Sequence, residues 1–193
     1  QLQPQLKILA GATTGTVTFT GVDDNSDEAN ETIIMTPGTA TNGSLSDSSA
    51  VTITLTDNDD AAAVTFAFSA ATITEGATTA VTLTATADPV SGQEITIPFT
   101  LSGTAGTDEY SIVDDATSIV IPAGSASASV SISTDGIDDT DVEVMETIIF
   151  NIDPNDIVNG ELGDEQATEL TLNLESDDNS TVTSIVADPS SID

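Results

Sequence analysis

The stretch VDDNSDEANETII at residues 22–34 returns as IDDTDVEVMETII at residues 137–149, a shift of 115 residues from Val22 to Ile137. Self-similarity at a fixed spacing marks a chain built from repeated supersecondary units. Downstream, Asn42-Gly43 and Asn159-Gly160 each interrupt two apolar strands, as a hairpin turn would. The strands that follow also end alike. VTITLTDND at 51–59 answers LTLNLESDD at 170–178, a shift of 119 from Val51 to Leu170, so the second copy carries about four extra residues in its last loop. After each ending comes the same opening, VTFAFSAATIT at 64–74 and VTSIVADPSSID at 182–193.

These correspondences divide the chain into the back half of one module (1–59), one complete module (60–178), and a linker with the first strand of the next (179–193). A half-module cannot bury its apolar face by itself, so residues 1–59 are expected to lack a folded partner or to borrow strands from elsewhere. Within the complete module, alternation of apolar and polar residues predicts strands near 64–68, 80–87, 94–101, 117–121, 127–134, 146–153 and 168–175. Turn signals such as Asp88-Pro89, Ser91-Gly92 and Ala123-Gly124 separate them, and no stretch shows an apolar period near 3.6. The expected fold class is all-β, an immunoglobulin-like seven-stranded β-sandwich repeated in tandem. Only 3% of residues are aromatic against 38% hydrophobic, so the core has to come from Val, Ile, Leu and Ala on short strands.

Asp and Glu number 33 against one basic residue, Lys7, for a formal net charge of −32. Such a chain repels nucleic acid and anionic membranes, and a folded domain carrying this charge repels itself unless cations neutralise it. High charge with few aromatics is also the signature of disorder, but here the acids cluster between regular apolar alternations. There is no Cys, hence no disulfide framework, and no run of 18 apolar residues that would span a bilayer. Gln1 does not open a signal peptide, and the chain reads as an internal piece.

In the complete module the acids concentrate between strands. Glu75 follows the first strand, and Asp108 and Glu109 lie between the third and fourth. Asp138, Asp139, Asp141, Glu143 and Glu146 crowd the entry to the sixth, and Asp177 and Asp178 end the seventh. Loops of a seven-stranded sandwich alternate between its two ends, so these carboxylates could converge at one of them. Five acids within the nine residues 138–146 repel strongly unless a cation sits among them. Calcium suits such a cluster because it takes about six to eight hard oxygen ligands in flexible geometry. Magnesium demands tighter octahedral geometry, and zinc or copper would call for His or Cys, of which there is none.

These residues resemble the Calx-beta domain, a family found in sodium/calcium exchangers, integrin β4 and bacterial surface proteins. The resemblance covers 64–178 and rests on Glu75-Gly76, the GTAGTDEY segment at 103–110, Pro122-Ala123-Gly124, and the Asp-Asp-x-x-x-Glu-x-x-Glu pattern at 138–146. It implies calcium ligands at Glu75, Asp108, Asp138, Asp139, Glu143 and Glu146, with the carbonyl of Asp141. The family's terminal Asp-x-Asp stands as Asp57-Asn58-Asp59 in the first copy but as Ser176-Asp177-Asp178 in the second. The first copy keeps Asp23, Asp24, Glu28 and Glu31, but the resemblance leaves its site incomplete, because the front-half ligands have no counterpart there.

An enzyme is hard to assemble from this inventory. Without His, Cys or Arg no Ser-His-Asp triad, thiol nucleophile or phosphate clamp exists. A two-carboxylate glycosidase would want aromatic sugar platforms, and there is no Trp and a single Tyr, Tyr110. Asp23-x-Asn25-x-Asp27 fails as an EF-hand loop, since Glu28 and Ile34 stand where Gly and Glu are required. Asn30-Glu-Thr, Asn42-Gly-Ser and Asn179-Ser-Thr fit the glycosylation sequon, which chance suffices to produce in a chain this rich in Thr and Ser. The expected role is a calcium-rigidified stalk module of a bacterial adhesin or filament, extracellular or at the cell surface. Its expected partners are calcium ions and neighbouring modules of the same array, with surface glycans or other adhesin chains as the alternative, a calcium-dependent binding module.

Overall fold

The computed structural model describes residues 5–178, so the linker and strand expected over 179–193 lie outside the described residues. The chain is all-β. The described residues form two compact units, one of residues 5–25 and 29–59, the other of residues 26–28 and 60–178.

The first unit holds one antiparallel pair, β1 (Glu31–Met35) and β2 (Val51–Leu55), in the register Glu31↔Leu55 to Met35↔Val51. That register is centred on Gly43, and Asn42 before it takes a left-handed φ of 59°. No described residue up to Asp59 is fully buried. An isolated hairpin is marginal in water for this reason.

The second unit begins with β3 (Ala63–Phe68), β4 (Thr72–Thr74), β5 (Val81–Asp88), β6 (Ile95–Pro98), β7 (Thr100–Gly103) and β8 (Ser111–Ile112). It continues with β9 (Ser118–Ile121), β10 (Ser127–Ser133), β11 (Glu146–Asn151), β12 (Glu161–Leu162) and β13 (Glu169–Glu175). One sheet has the order β12-β3-β5-β10-β8, another β4-β13-β11-β7, and β6 pairs with β9 alone. Between them Val64, Leu83, Ala85, Ile97, Ile121 and Ile132 meet Ile148, Phe150, Leu172 and Leu174 in one buried core. Phe68 and Phe150 join the two larger sheets edge to face at 5.9 Å between ring centroids. On β5 the pattern is direct, with Val81, Leu83, Ala85 and Ala87 buried and Thr82, Thr84 and Thr86 facing away.

Six of the seven expected strands form within two residues of their expected ends. The seventh needs correction: 94–101 is two strands, not one, because the chain leaves β9 after Pro98 and joins β11 from Thr100. Phe99 stays buried at the crossing and donates its backbone N–H to Thr117 O at 3.1 Å, so the in-out alternation continues while the partner changes. The expected first strand likewise continues into the second sheet. After β3 the chain crosses at Ser69–Ala71, and β4 pairs in parallel with β13. The two-residue strands β8 and β12 were not expected. Asn159-Gly160 closes no two-residue hairpin, since β11 and β13 are joined by a long loop, but their register, Glu146↔Leu174, is centred on Gly160.

Candidate metal centre

The switch of the first strand between sheets is what delivers Glu75 to the site. Because β4 lies beside β13, the backbone N–H of Glu75 donates to Glu175 O at 2.9 Å, which sets its side chain next to Asp177 and Asp178. Gly76 follows with a φ of +63° and donates its N–H to Ile137 O at 2.9 Å. A Cβ on Gly76 would come within 3.1 Å of the Asp138 side chain, so both its conformation and its lack of bulk are used here. Thr134, fully buried at the end of β10, donates its hydroxyl to Thr74 O at 2.7 Å and fastens the same corner. The loop of residues 135–145 therefore leaves β10 pinned against the Glu75 turn.

The loop after β7 arrives from the other side. Gly103 has a φ of 129° and passes so close to Thr147 that no side chain would fit. Thr104 donates its N–H to Thr147 O at 3.0 Å, while Thr147 N–H donates to Thr104 Oγ1 at 3.0 Å. These bonds hold residues 104–110 over the start of β11, where Glu146 stands, and the Gly106 N–H donates to Glu109 Oε2.

Two groups of carboxylates result, each with one oxygen per residue lying within 4.8 Å of the others: Glu75, Asp177 and Asp178; and Glu109, Glu143 and Glu146. Glu75 is only 5% exposed. Its Oε2, together with Glu146 Oε2 and Asp178 Oδ2, is buried without a hydrogen-bond partner. Unpaired buried polar atoms are costly, more so when charged, and three together mark this end of the domain as a candidate cation site.

The electrostatics agree. Burial pushes the Glu75 carboxyl above its ordinary range, and the charges of Asp139, Glu143, Asp138 and Asp178 push it further. Glu143 is raised by desolvation and then by Glu109, Asp139, Asp141 and Asp178, so its surroundings include members of both groups. Glu146 is raised by burial first, then by hydrogen bonding to and repulsion from Glu109. Asp178 is raised by desolvation, then by Asp177, Asp138, Asp139 and Asp141. Every shift has the sign of a site short of positive charge.

The donor set is carboxylate oxygen throughout, which fits a hard cation such as calcium and offers nothing to a soft one. Asp138, Asp139 and Asp141 lie on the 135–145 loop, near enough to raise Asp178, and there Asp139 Oδ1 accepts the Asp141 N–H at 2.7 Å. From the 104–110 loop it is Glu109 that joins a group. Asp108, the ligand implied by the resemblance, is exposed beside Gly106. The Thr-Asp-Glu-Tyr order offered both acids, and nothing in an irregular segment tells which one turns inward.

The acids expected in the first copy form no such group among the described residues. Asp23, Asp24 and Glu31 are exposed, and Asp23 Oδ1 accepts from Asn58 Nδ2 at 3.1 Å. Asp57 and Asp59 are half-buried, the Asp57 N–H donating to Asn30 Oδ1 at 2.9 Å. Glu28 is exposed, beside Gly92 in the second unit. No protein-family model and no curated protein matches this chain.

Proposed function

We propose that the chain is a calcium-binding structural module of the Calx-beta kind, from a tandem array of immunoglobulin-like sandwiches in a bacterial surface or secreted adhesin or filament. The observation that carries this reading is the set of buried, partnerless carboxylate oxygens on Glu75, Glu146 and Asp178 at one end of the sandwich, in a chain whose formal net charge is −32. Glu75, Asp177 and Asp178 would hold one ion and Glu109, Glu143 and Glu146 another, with Asp138, Asp139 and Asp141 placed to add ligands. A bound cation supplies the positive charge that these groups lack.

The consequence is mechanical. Without the ion, carboxylates from the Glu75 turn, the 104–110 loop, the 135–145 loop and the end of β13 repel one another. With it, they are drawn to a common centre, and the exit of the chain from β13 is tied to three other loops. The module then transmits force as a stiff unit in an array, with no catalytic step. An extracellular setting suits it, because weak calcium sites of about 10⁻⁴–10⁻³ M fill there.

Terbium luminescence tests the reading directly, since Tyr110, the only Tyr in a chain without Trp, directly follows Glu109. The full chain is expected to give saturable Tyr-sensitised emission that calcium displaces and magnesium does not, and to lose it in the Glu109→Gln/Glu146→Gln double variant. Emission that calcium fails to displace would refute the proposal.

A further inference from the structure

The two Asn-Gly dipeptides sit at matching places in the long loops of two antiparallel strand pairs, at the centre of the β1–β2 register and of the β11–β13 register. Both Asn residues take a left-handed φ, 59° at Asn42 and 56° at Asn159. Their side chains differ. Asn159 donates its amide Nδ2–H to Glu94 O at 2.9 Å, and its neighbour Val158 is bridged to Thr96. Gly160 is packed so closely that an added Cβ would meet Ile95 Cγ2 at 2.9 Å. Asn42 and Gly43 are exposed, an added Cβ on Gly43 would meet nothing within 4 Å, and no hydrogen bond holds the Asn42 amide among the described residues.

We infer that Asn42 is a site of spontaneous deamidation in the folded protein and that Asn159 is protected from it. Reaction requires the Gly backbone nitrogen, its proton lost to hydroxide, to reach the Asn side-chain carbonyl carbon. At residue 42 the new bond from Gly43 N to Asn42 Cγ closes a succinimide ring, and the former amide nitrogen leaves as ammonia. Water then opens the ring at either carbonyl, leaving aspartate or isoaspartate, so the net change is one water consumed and one ammonia released. Gly at the following position leaves the attacking nitrogen uncrowded, and the unconstrained Asn42 side chain can rotate into line. At residue 159 the same approach requires breaking the Nδ2–Glu94 bond and displacing a glycine packed against Ile95. The product places a new negative charge, and in the isoaspartate an added backbone methylene, at the centre of the β1–β2 turn. Age is thus written into one loop and not into the other.

Peptide mapping by mass spectrometry after incubation of the full chain at mildly alkaline pH tests this. Asn42 is expected to lose its amide at least about tenfold faster than Asn159, equivalent to about 1.4 kcal/mol in barrier. In concentrated urea the two rates are expected to converge. Gly43→Ala, which fits the space available, is expected to slow loss at Asn42 in the folded chain. Equal rates in the folded protein, or a difference that persists in urea, would overturn the inference, as would an unchanged rate in Gly43→Ala.

Discussion

Leu55 faces Glu31 across β1–β2, and Leu174 faces Glu146 across β11–β13. Around them the two antiparallel pairs correspond residue for residue, Ile33↔Ile53 answering Ile148↔Leu172. Yet Leu55 is 39% exposed where Leu174 is 4%, and Ile53 is 37% exposed where Leu172 is 0%. The hairpin alone fixes pairing and register. Burial comes from the second sheet, through Val64, Leu83 and Ile132, and each Leu or Ile it covers gains about 1.5–3 kcal/mol. The acids follow suit. Glu146 has a buried, partnerless oxygen, whereas Glu31, at the matching place, is exposed. The same Asp-Asp-x-x-x-Glu-x-x-Glu spacing makes a carboxylate cluster only where turns such as Glu75-Gly76 and a loop such as 104–110 are folded against it.

The largest effect expected from this comparison is in hydrogen exchange. Amides paired between β11 and β13 should open only with global unfolding of their unit, about 5–15 kcal/mol for an ordinary domain, while those of β1–β2 should exchange through local opening near zero. Comparable protection in both pairs would break the contrast. Next comes a matched pair of truncations. Leu174→Ala should cost about 2–5 kcal/mol in urea unfolding followed by Tyr110 fluorescence, against about 0.5 kcal/mol or less for Leu55→Ala. Similar losses would show that β2 is buried after all.

The smallest effect expected is the pH dependence of the calcium-free chain. Glu75, Glu143, Glu146 and Asp178 all have pKa values raised from ordinary values of 4.5 for Glu and 3.8 for Asp. A carboxyl with a raised folded pKa keeps its proton more tightly when folded. Its contribution is therefore fully present below the unfolded value and is lost as pH rises through the folded one. In chelator, the thermal midpoint should fall as pH rises above these ordinary values. Excess calcium should abolish that slope, because it binds the ionised groups. A chelated midpoint that climbs as these groups ionise would contradict the electrostatic account.

Much of this was legible in the residues. Alternation located β3, β5, β9, β10, β11 and β13, because each carries at least two inward apolar residues. It could not show the break at Phe99, since Ile95, Ile97, Phe99 and Leu101 keep one unbroken in-out rhythm while the chain changes sheets. Period reports which face is buried, never which strand lies alongside. The short β4, β8 and β12 are set by tertiary pairing and have no period to read. In the site, the spacing from Asp138 to Glu146 and the Glu75-Gly76 step were plain. The choice of Glu109 was not, because it depends on Gly103 and Thr104 pressing against Thr147.

The measurement closest to the central claim is thermal unfolding of the full chain in millimolar calcium, in magnesium and in chelator, repeated with Glu75→Gln. The account predicts that calcium raises the midpoint well above magnesium, by the equivalent of about 2.7 kcal/mol at one hundred times the dissociation constant. Glu75→Gln should lose most of that gain while melting no lower than the parent chain in chelator, since a buried charge has been removed. Midpoints that coincide in calcium, magnesium and chelator would contradict it.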